Sequence, residues 1–334
     1  MNLPISHPEI QHSKIGILLI NLGTPDSTSW LDIRKYLKEF LSDQRVIEVN
    51  PILWKIILNL FILTFRPSKT AEAYKEIWMK KENMSPLRYF TIKQSEKLSK
   101  KIKNKNILID YAMRYGNPSI KSKILKLQKQ GCERLVILPL YPQYAAATTA
   151  TVCDEVYRTL MKIRWQPSLQ IIPHYESDPF YIKALAKSVK KKMSKIKWKP
   201  DLIVASYHGI PKKYFEKGDP YHCYCLKTTR LLVENLNMKT PIISTFQSRF
   251  GPDEWLQPYT DKTLQELPKE GKKKILVICP GFASDCVETL EEISIQGKES
   301  FEESGGEKFD MIPCLNDNPD HIFLFEHLVK KYLV

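Results

Sequence analysis

Eight apolar runs, each about as long as one buried strand, recur along the chain and are usually followed by a helix-length segment. They lie at 15–21, 107–112, 135–140, 169–173, 202–207, 241–246, 275–278 and 309–313. Strands that alternate with helical segments form βαβ units, whose strands pair in parallel. The pattern therefore predicts an α/β fold built on parallel sheets.

The two halves of the chain resemble each other. RLVIL at 134–138 is matched by KILVI at 274–278, and the dipeptide Ile-Pro recurs at 172 and 312 with the same offset. A chain of 334 residues is also too long for one ordinary core. We therefore predict two domains, 14–165 and 166–317, each a four-stranded parallel sheet flanked by helices. A C-terminal helix, 318–334, is expected to pack on the first domain.

The strand order locates a candidate crevice. In a Rossmann-like, flavodoxin-like domain of order 2-1-3-4, the first and third strands are neighbours, and ligands bind between their carboxyl ends. In the second half these ends are the segments 207–209 and 279–282. His208 and the acidic turn that follows Phe282 would then face one crevice. A lone histidine at a strand end is also compatible with a purely structural role.

The acidic turn allows two interpretations of Glu288. Asp285 resembles a helix N-cap with Glu288 three residues later, which by spacing alone favours a capping-box role for Glu288. The alternative is a site carboxylate at the edge of the sheet. Glu292 would lie on the same helix face as Glu288, where like charges are mildly unfavourable. Such a pair facing a histidine could guide a divalent cation and handle protons.

Composition and missing motifs exclude several classes of protein. The formal net charge is +14, but only 10 of the 51 basic residues are Arg. Arg is the residue that nucleic-acid sites favour, so we expect solvated lysine-rich helix faces and no nucleic-acid partner. There is no G-x-G-x-x-G after the first strand and no Walker A, G-x-S-x-G or H-E-x-x-H sequence.

Cysteine usage and the N-terminus favour the cytoplasm. The seven Cys are scattered, and the polar first 13 residues lack the apolar region of a secretory signal. Only Cys223 and Cys225 are clustered, and one C-x-C pair is not a zinc or iron–sulfur framework.

The segment 51–65, PILWKIILNLFILTF, is shorter than the roughly 20 residues of a spanning helix. It is either a buried helix or an exposed apolar lip that lies on a membrane or holds an apolar ligand.

Six motifs resemble those of ferrochelatase, the terminal enzyme of haem synthesis. They are NLGTP at 21–25, YGNP at 115–118, YPQY at 141–144, SYHGIP at 206–211, FQSRFG at 246–251 followed by Trp255-Leu256, and CPGFASDCVETLEE at 279–292. They occur in the family's order from about Lys14 to Asn316. The resemblance thus covers nearly the whole chain.

The resemblance implies a chelatase-like fold and a lyase of bacterial type that inserts Fe²⁺ into protoporphyrin IX to give protohaem. It places the family's histidine on His208 and its active-site glutamate on Glu288, with both implied in catalysis and in metal binding. The matching porphyrin-binding positions are Leu22, Arg114, Tyr115, Trp255, Phe282 and Asp285. The segment 51–65 matches the pocket lip, which implies peripheral contact with the inner face of the membrane.

The resemblance also limits cofactors and leaves alternatives. Fe²⁺ is a substrate, so no cofactor is expected. A [2Fe–2S] cluster is not expected either, because the cysteine-bearing extension of animal enzymes has no counterpart before Val334. A third carboxylate that some relatives carry after Glu288 and Glu292 is replaced by Gln296. A coproporphyrin ferrochelatase and a non-catalytic porphyrin or haem carrier remain alternatives.

Overall fold

The computed structural model describes residues 14–333. Residues 1–13, on which the expectation of no secretory signal rests, and residue 334 lie outside the described residues. The strands are β1 Lys14–Thr24, β2 Ile107–Gly116, β3 Cys132–Pro139, β4 Ser168–Ile171, β5 Leu202–His208, β6 Ile242–Gln247, β7 Lys274–Ile278 and β8 Lys308–Ile312. They form two all-parallel sheets of order β2-β1-β3-β4 and β6-β5-β7-β8. The predicted α/β, flavodoxin-like fold is confirmed.

Helices connect the strands, and several of them begin at capping side chains. The helices are α1 Trp30–Leu41, α2 Pro51–Ile57, α3 Leu63–Ile77, α4 Pro86–Lys101, α5 Ile120–Lys129, α6 Thr151–Leu160, α7 Pro179–Met193, α8 Lys212–Glu216, α9 Tyr221–Leu236, α10 Thr260–Glu266, α11 Val287–Thr289, α12 Lys298–Glu303 and α13 Pro319–Lys330. Three segments are π-helical: Leu58–Ile62, Ala146–Ala150 and Leu290–Gly297. Ser29, Ser85 and Ser119 each accept a first-turn N–H of the helix that follows, which satisfies a donor that the helix itself cannot pair.

The central strands are buried on both faces, as the continuous apolar runs indicate. Ile17, Leu18, Leu19 and Ile20 of β1 are all fully buried. In the second sheet, β5 lies between β6 and β7 and is buried from Leu202 to Tyr207. Helices cover both faces of such sheets, so side chains that project either way lose contact with water.

The chain divides into two compact units. Unit 1 comprises the described parts of Met1–Leu140, Ala146–Pro173 and Ile322–Val334, and unit 2 comprises Tyr141–Ala145 and His174–His321. Each unit contains one of the two sheets. The domain limits predicted after residues 165 and 317 stay predictions.

The apolar segment 51–65 is helical throughout and mostly exposed. It runs through α2, the π-helical segment Leu58–Ile62 and the start of α3. Leu58 and Leu63 are buried and attach it to unit 1. The exposed apolar side chains are Ile52, Leu53, Ile56, Leu60, Phe61 and Phe65. No helix among residues 14–333 is long and apolar enough to cross a membrane.

Gly23 allows β1 and β2 to approach closely. Its φ is +116°, and an added Cβ would lie 1.8 Å from the carbonyl oxygen of Tyr115. Gly23→Ala should therefore lower the free energy of unfolding by about 2–5 kcal/mol, because backbone strain and a steric clash add. Urea denaturation measures this loss.

Gly218→Ala is the matched control, since Gly218 has φ +98° but nothing lies within 4 Å of its added Cβ. It should show the strain alone, about 1–2 kcal/mol. Equal losses in the two variants would contradict a specific close approach at Gly23.

Candidate active site

His208 is the last residue of β5, at the carboxyl edge of the second sheet. Its Nδ1 lies 2.6 Å from the carbonyl oxygen of Gly209. A carbonyl can only accept, so Nδ1 carries a hydrogen, and in the neutral ring Nε2 then carries the lone pair. The ring is half-buried. His208 is therefore held in the tautomer whose Nε2 can accept a proton or bind a metal ion.

The helix after β7 begins one residue later than the sequence predicts. Its N-cap is Cys286, whose N–H donates to the Thr289 hydroxyl at 3.0 Å, so Thr289 rather than Glu288 completes the capping box. The predicted N-cap at Asp285 and the capping-box interpretation of Glu288 are therefore wrong. The reason is that the Asp285 carboxylate is engaged elsewhere in unit 2. Glu288, in the first helical turn, is not used for capping.

Asp285, in the loop that precedes this helix, makes several hydrogen bonds through its side chain. Its carboxylate accepts the Cys314 N–H at 3.0 Å, the Asn316 amide at 2.6 Å and the Thr289 hydroxyl at 3.3 Å. The side chain is almost fully buried. In this conformation Asp285 ties the loop to the segment that follows β8, and its part in porphyrin binding stays a prediction.

Glu292 links the acidic helix to the end of β6. Oε1 accepts the Ser248 N–H at 2.7 Å, while Oε2 accepts the Ser248 hydroxyl at 2.5 Å and the Gln247 amide at 3.3 Å. Burial raises the pKa of Glu292, and the negative charge of Glu288 raises it further. The Ser248 hydrogen bonds and the charge of His208 lower it, but the net shift of the pKa is upward. Glu292 is thus within electrostatic range of both predicted catalytic residues.

Two aromatic residues of the prediction also belong to unit 2. Trp255 is buried, donates its indole N–H to the Phe250 carbonyl at 3.0 Å and packs on the Phe250 ring at 5.1 Å. Phe282 is half-buried in the loop after β7 and packs against the core of unit 2. Trp255 is thus covered by the protein itself, whereas Phe282 keeps part of its apolar surface exposed.

Arg114 and Tyr115, near the end of β2 in unit 1, share one buried carboxylate. Asp43 Oδ2 accepts Arg114 Nη2 at 2.5 Å, the Tyr115 hydroxyl at 2.9 Å and the Thr151 hydroxyl. The guanidinium also lies over the Tyr115 ring, 4.4 Å from its centre. Burial raises the pKa of Asp43, but these hydrogen bonds and the Arg114 charge outweigh it and place the pKa below its usual range. Leu22, in β1, is half-buried.

The family follows from comparison with known proteins. The model of the ferrochelatase family matches residues 14–333. The chain belongs to the ferrochelatase family. It is 54% identical to the ferrochelatase of Allorhizobium ampelinum over 99% of this chain and 97% of that protein, and 53% identical to that of Rhizobium meliloti over 100% and 99%. It is therefore a lyase of haem synthesis that acts on iron and a porphyrin.

Among solved structures, SirB from Bacillus subtilis with Fe³⁺ resembles this ferrochelatase with a TM-score of 0.58. The alignment covers 95% of each chain at 13% identity, so it bears on the fold alone. It supports the two-sheet chelatase architecture.

The sequence did not identify the residues that hold this ferrochelatase site. Gln247 and Ser248 lie in a motif that carried the resemblance, but nothing in the sequence assigned them a partner. Asp43 and Thr151 carried no signal, because their partners are more than 35 residues away. Only the fold brings these polar side chains together.

Asp43→Asn tests the unit 1 network. Removing one partner of a buried ion pair leaves Arg114 uncompensated and should cost about 3 kcal/mol of unfolding free energy at neutral pH. The pKa of Asp43 is depressed, so the stability that its charge contributes is present above the unfolded pKa of about 4 and is lost as the pH falls through the folded value. Denaturation at several pH values should show the gap between wild type and variant closing in acid.

Asp154→Asn is the matched control. Asp154 pairs with Arg45 at 2.8 Å, but both side chains are at least one-third exposed. Its loss should cost less than about 1 kcal/mol. If both variants lose the same stability, the Asp43 network is no stronger than a surface ion pair.

Proposed function

We propose that this ferrochelatase inserts Fe²⁺ into protoporphyrin IX, with His208 as acceptor of pyrrole protons and Glu288 as the carboxylate that receives the metal. The observation that carries the proposal is the 2.6 Å contact between His208 Nδ1 and the Gly209 carbonyl oxygen. Nδ1 donates to Gly209, so the basic Nε2 is the nitrogen available to substrate. An imidazole is the side chain whose ordinary pKa, about 6.5, suits such a proton transfer near neutral pH.

The chemistry requires no protein nucleophile. Fe²⁺ replaces two pyrrole hydrogens, which leave as protons, and the iron keeps its oxidation state. A carboxylate binds Fe²⁺ through hard oxygen ligands and releases it to the softer nitrogen ligands of the ring. Glu288 is suited to this step because its side chain is not consumed by helix capping. His208 and Glu288 are thus proposed as both catalytic and metal-binding residues.

The residues proposed to bind the porphyrin are those that match the family's pocket, namely Leu22, Arg114, Tyr115, Trp255, Phe282 and Asp285. A planar macrocycle needs apolar and aromatic walls with few polar groups, and the half-buried Phe282 supplies such surface. Arg114 can balance carboxylate charge on the ring's rim, although Asp43 already compensates it in part.

Protoporphyrin is proposed over coproporphyrin because of the apolar surface at 51–65. Coproporphyrin carries more carboxylates, and an apolar lip favours the less polar ring. We propose no cofactor and no [2Fe–2S] cluster. Of the one clustered Cys pair, Cys223 is exposed whereas Cys225 is fully buried, so the two thiols do not face a common site.

His208→Ala and Glu288→Gln should each reduce haem formation at least about 100-fold, because each removes a group that takes part in the chemical step. The measurement is the rate of appearance of the haem absorption spectrum from Fe²⁺ and protoporphyrin IX without oxygen. His327→Gln, a change at a half-buried histidine of α13, is the control and should leave the rate unchanged. Full turnover in both site variants would refute the assignment.

The same assay with coproporphyrin III separates the alternatives. We expect protoporphyrin IX to have the higher kcat/KM. A preference for coproporphyrin would change the substrate and keep the mechanism, whereas tight porphyrin binding without metal insertion would identify a carrier.

We also propose that the apolar lip contacts a membrane surface. Six large apolar side chains are exposed over α2, the adjoining π-helical segment and the first turn of α3. Trp54 suits an interfacial position, and its indole N–H is satisfied by the Leu41 carbonyl at 2.6 Å. Lys55 and Arg66 add charge that anionic headgroups would attract.

Phe65→Ser should weaken binding to vesicles that contain phosphatidylglycerol by about tenfold, because burial of one such side chain contributes roughly 1.5–3 kcal/mol. Phe65 is 73% exposed, so its loss should leave the fold intact. Met161→Ser is the control, since Met161 is 81% exposed but lies on another helix end. The measurement is the fraction of protein that sediments with the vesicles. If both variants bound like the wild type, the proposal would be contradicted.

A further inference from the structure

The protein itself occupies three of the roughly four lone-pair sites of the Glu292 carboxylate. Each oxygen accepts a hydrogen bond of 2.7 Å or less from Ser248, and Oε2 accepts a third, longer one from Gln247. A carboxylate that carries a metal ion must offer its lone pairs to that ion. To chelate a cation through both oxygens, Glu292 would have to give up a donor of the protein at Oε2.

Ser248 adopts an unfavourable backbone conformation to make these bonds. Its φ is +66°, and the other non-glycine residues with positive φ among residues 14–333 are all asparagines, which tolerate that region best. Such strain persists only where the surrounding structure imposes it. Here it directs both the N–H and the hydroxyl of Ser248 at one carboxylate.

Gln247 connects this contact to both predicted catalytic residues. Its amide donates to the main-chain carbonyl of Glu288 at 2.7 Å, and its Oε1 accepts the Ser206 hydroxyl at 2.7 Å. In the β5–β6 ladder, Gln247 is paired with His208. The side chain is buried. The end of β6 therefore holds the acidic helix at two points, residues 288 and 292, beside the histidine.

We propose that Glu292 is a positioning residue: its carboxylate holds the π-helical segment Leu290–Gly297 on Gln247 and Ser248 and thereby fixes Glu288 relative to His208, rather than carrying iron itself. The proposal rests on the proposed function of His208 and Glu288. The proposal gives Glu288 the chemical step and gives Glu292, four residues later, the task of holding the segment in place.

The variant Glu292→Gln separates the two tasks. Glutamine keeps an oxygen for the Ser248 N–H and an amide that can donate to the Ser248 hydroxyl, so only the long contact with Gln247 is lost. It removes the negative charge that a metal carrier needs. A positioning role predicts kcat and the KM for Fe²⁺ within about threefold of wild type.

Glu292→Met should behave differently because it keeps the length of the side chain but accepts none of these hydrogen bonds. We expect kcat to fall about 100-fold with the KM for Fe²⁺ within about threefold, since misplacing a catalytic group by 1 Å costs roughly that factor. Glu291→Met changes the neighbouring acidic residue of the same segment and should leave both constants unchanged.

If Glu292 carried the metal, Glu292→Gln would be as inactive as Glu292→Met, and the KM for Fe²⁺ would be raised in both variants. That result would overturn the proposal. If Glu292→Met does not fold, Ser248→Ala supplies the test, since it removes one donor and keeps the carboxylate. It should lower kcat about tenfold without changing the KM for Fe²⁺, and an unchanged kcat would overturn the proposal. The proposed function fails separately, when His208→Ala and Glu288→Gln retain turnover.

Discussion

The pairing of β5 with β6 and β7 is the constraint on which the candidate site depends. Parallel strands end at the same edge of a sheet, so His208 at the end of β5 lies beside Gln247 at the end of β6, and the acidic loop follows the end of β7. β5 is buried along its length, which prevents the strand from slipping in register. The candidate site residues at these strand ends are therefore positioned by the core and not by the loops alone.

Two partly buried carboxylates show how burial, hydrogen bonds and neighbouring charge together set the direction of a pKa shift. The Asp43 carboxylate accepts four hydrogen bonds, the Glu292 carboxylate accepts three, and each loses hydration. Asp43 faces the Arg114 cation, and its pKa is lowered. Glu292 is more deeply buried and has Glu288 as a neighbour, and its pKa is raised. The hydrogen bonds around Asp43 thus stabilise its negative charge. Those around Glu292 do not outweigh its burial, so this carboxyl group ionises less readily than usual.

Two of the three π-helical segments among residues 14–333 coincide with parts of the chain for which a function is proposed. Leu58–Ile62 lies in the apolar lip, and Leu290–Gly297 carries Glu292. π-helical turns are rare and are frequent at functional sites, because the wider turn redirects side chains at a cost in hydrogen-bond geometry. In the lip, Leu58 is buried while Leu60 and Phe61 are exposed. In the acidic segment, Ile293 is buried while Glu292 reaches the end of β6.

The sequence by itself determined the strands, their parallel pairing and the family, because apolar runs and short motifs are local properties of the chain. It could not determine where the acidic helix begins, since Asp285 is drawn away from capping by Cys314 and Asn316, about 30 residues distant. The partners of Glu292 and of Arg114 were equally inaccessible, being 44 and 71 residues away. Only the tertiary structure brings such groups together, because a hydrogen bond depends on distance in space and leaves no periodic trace in the sequence.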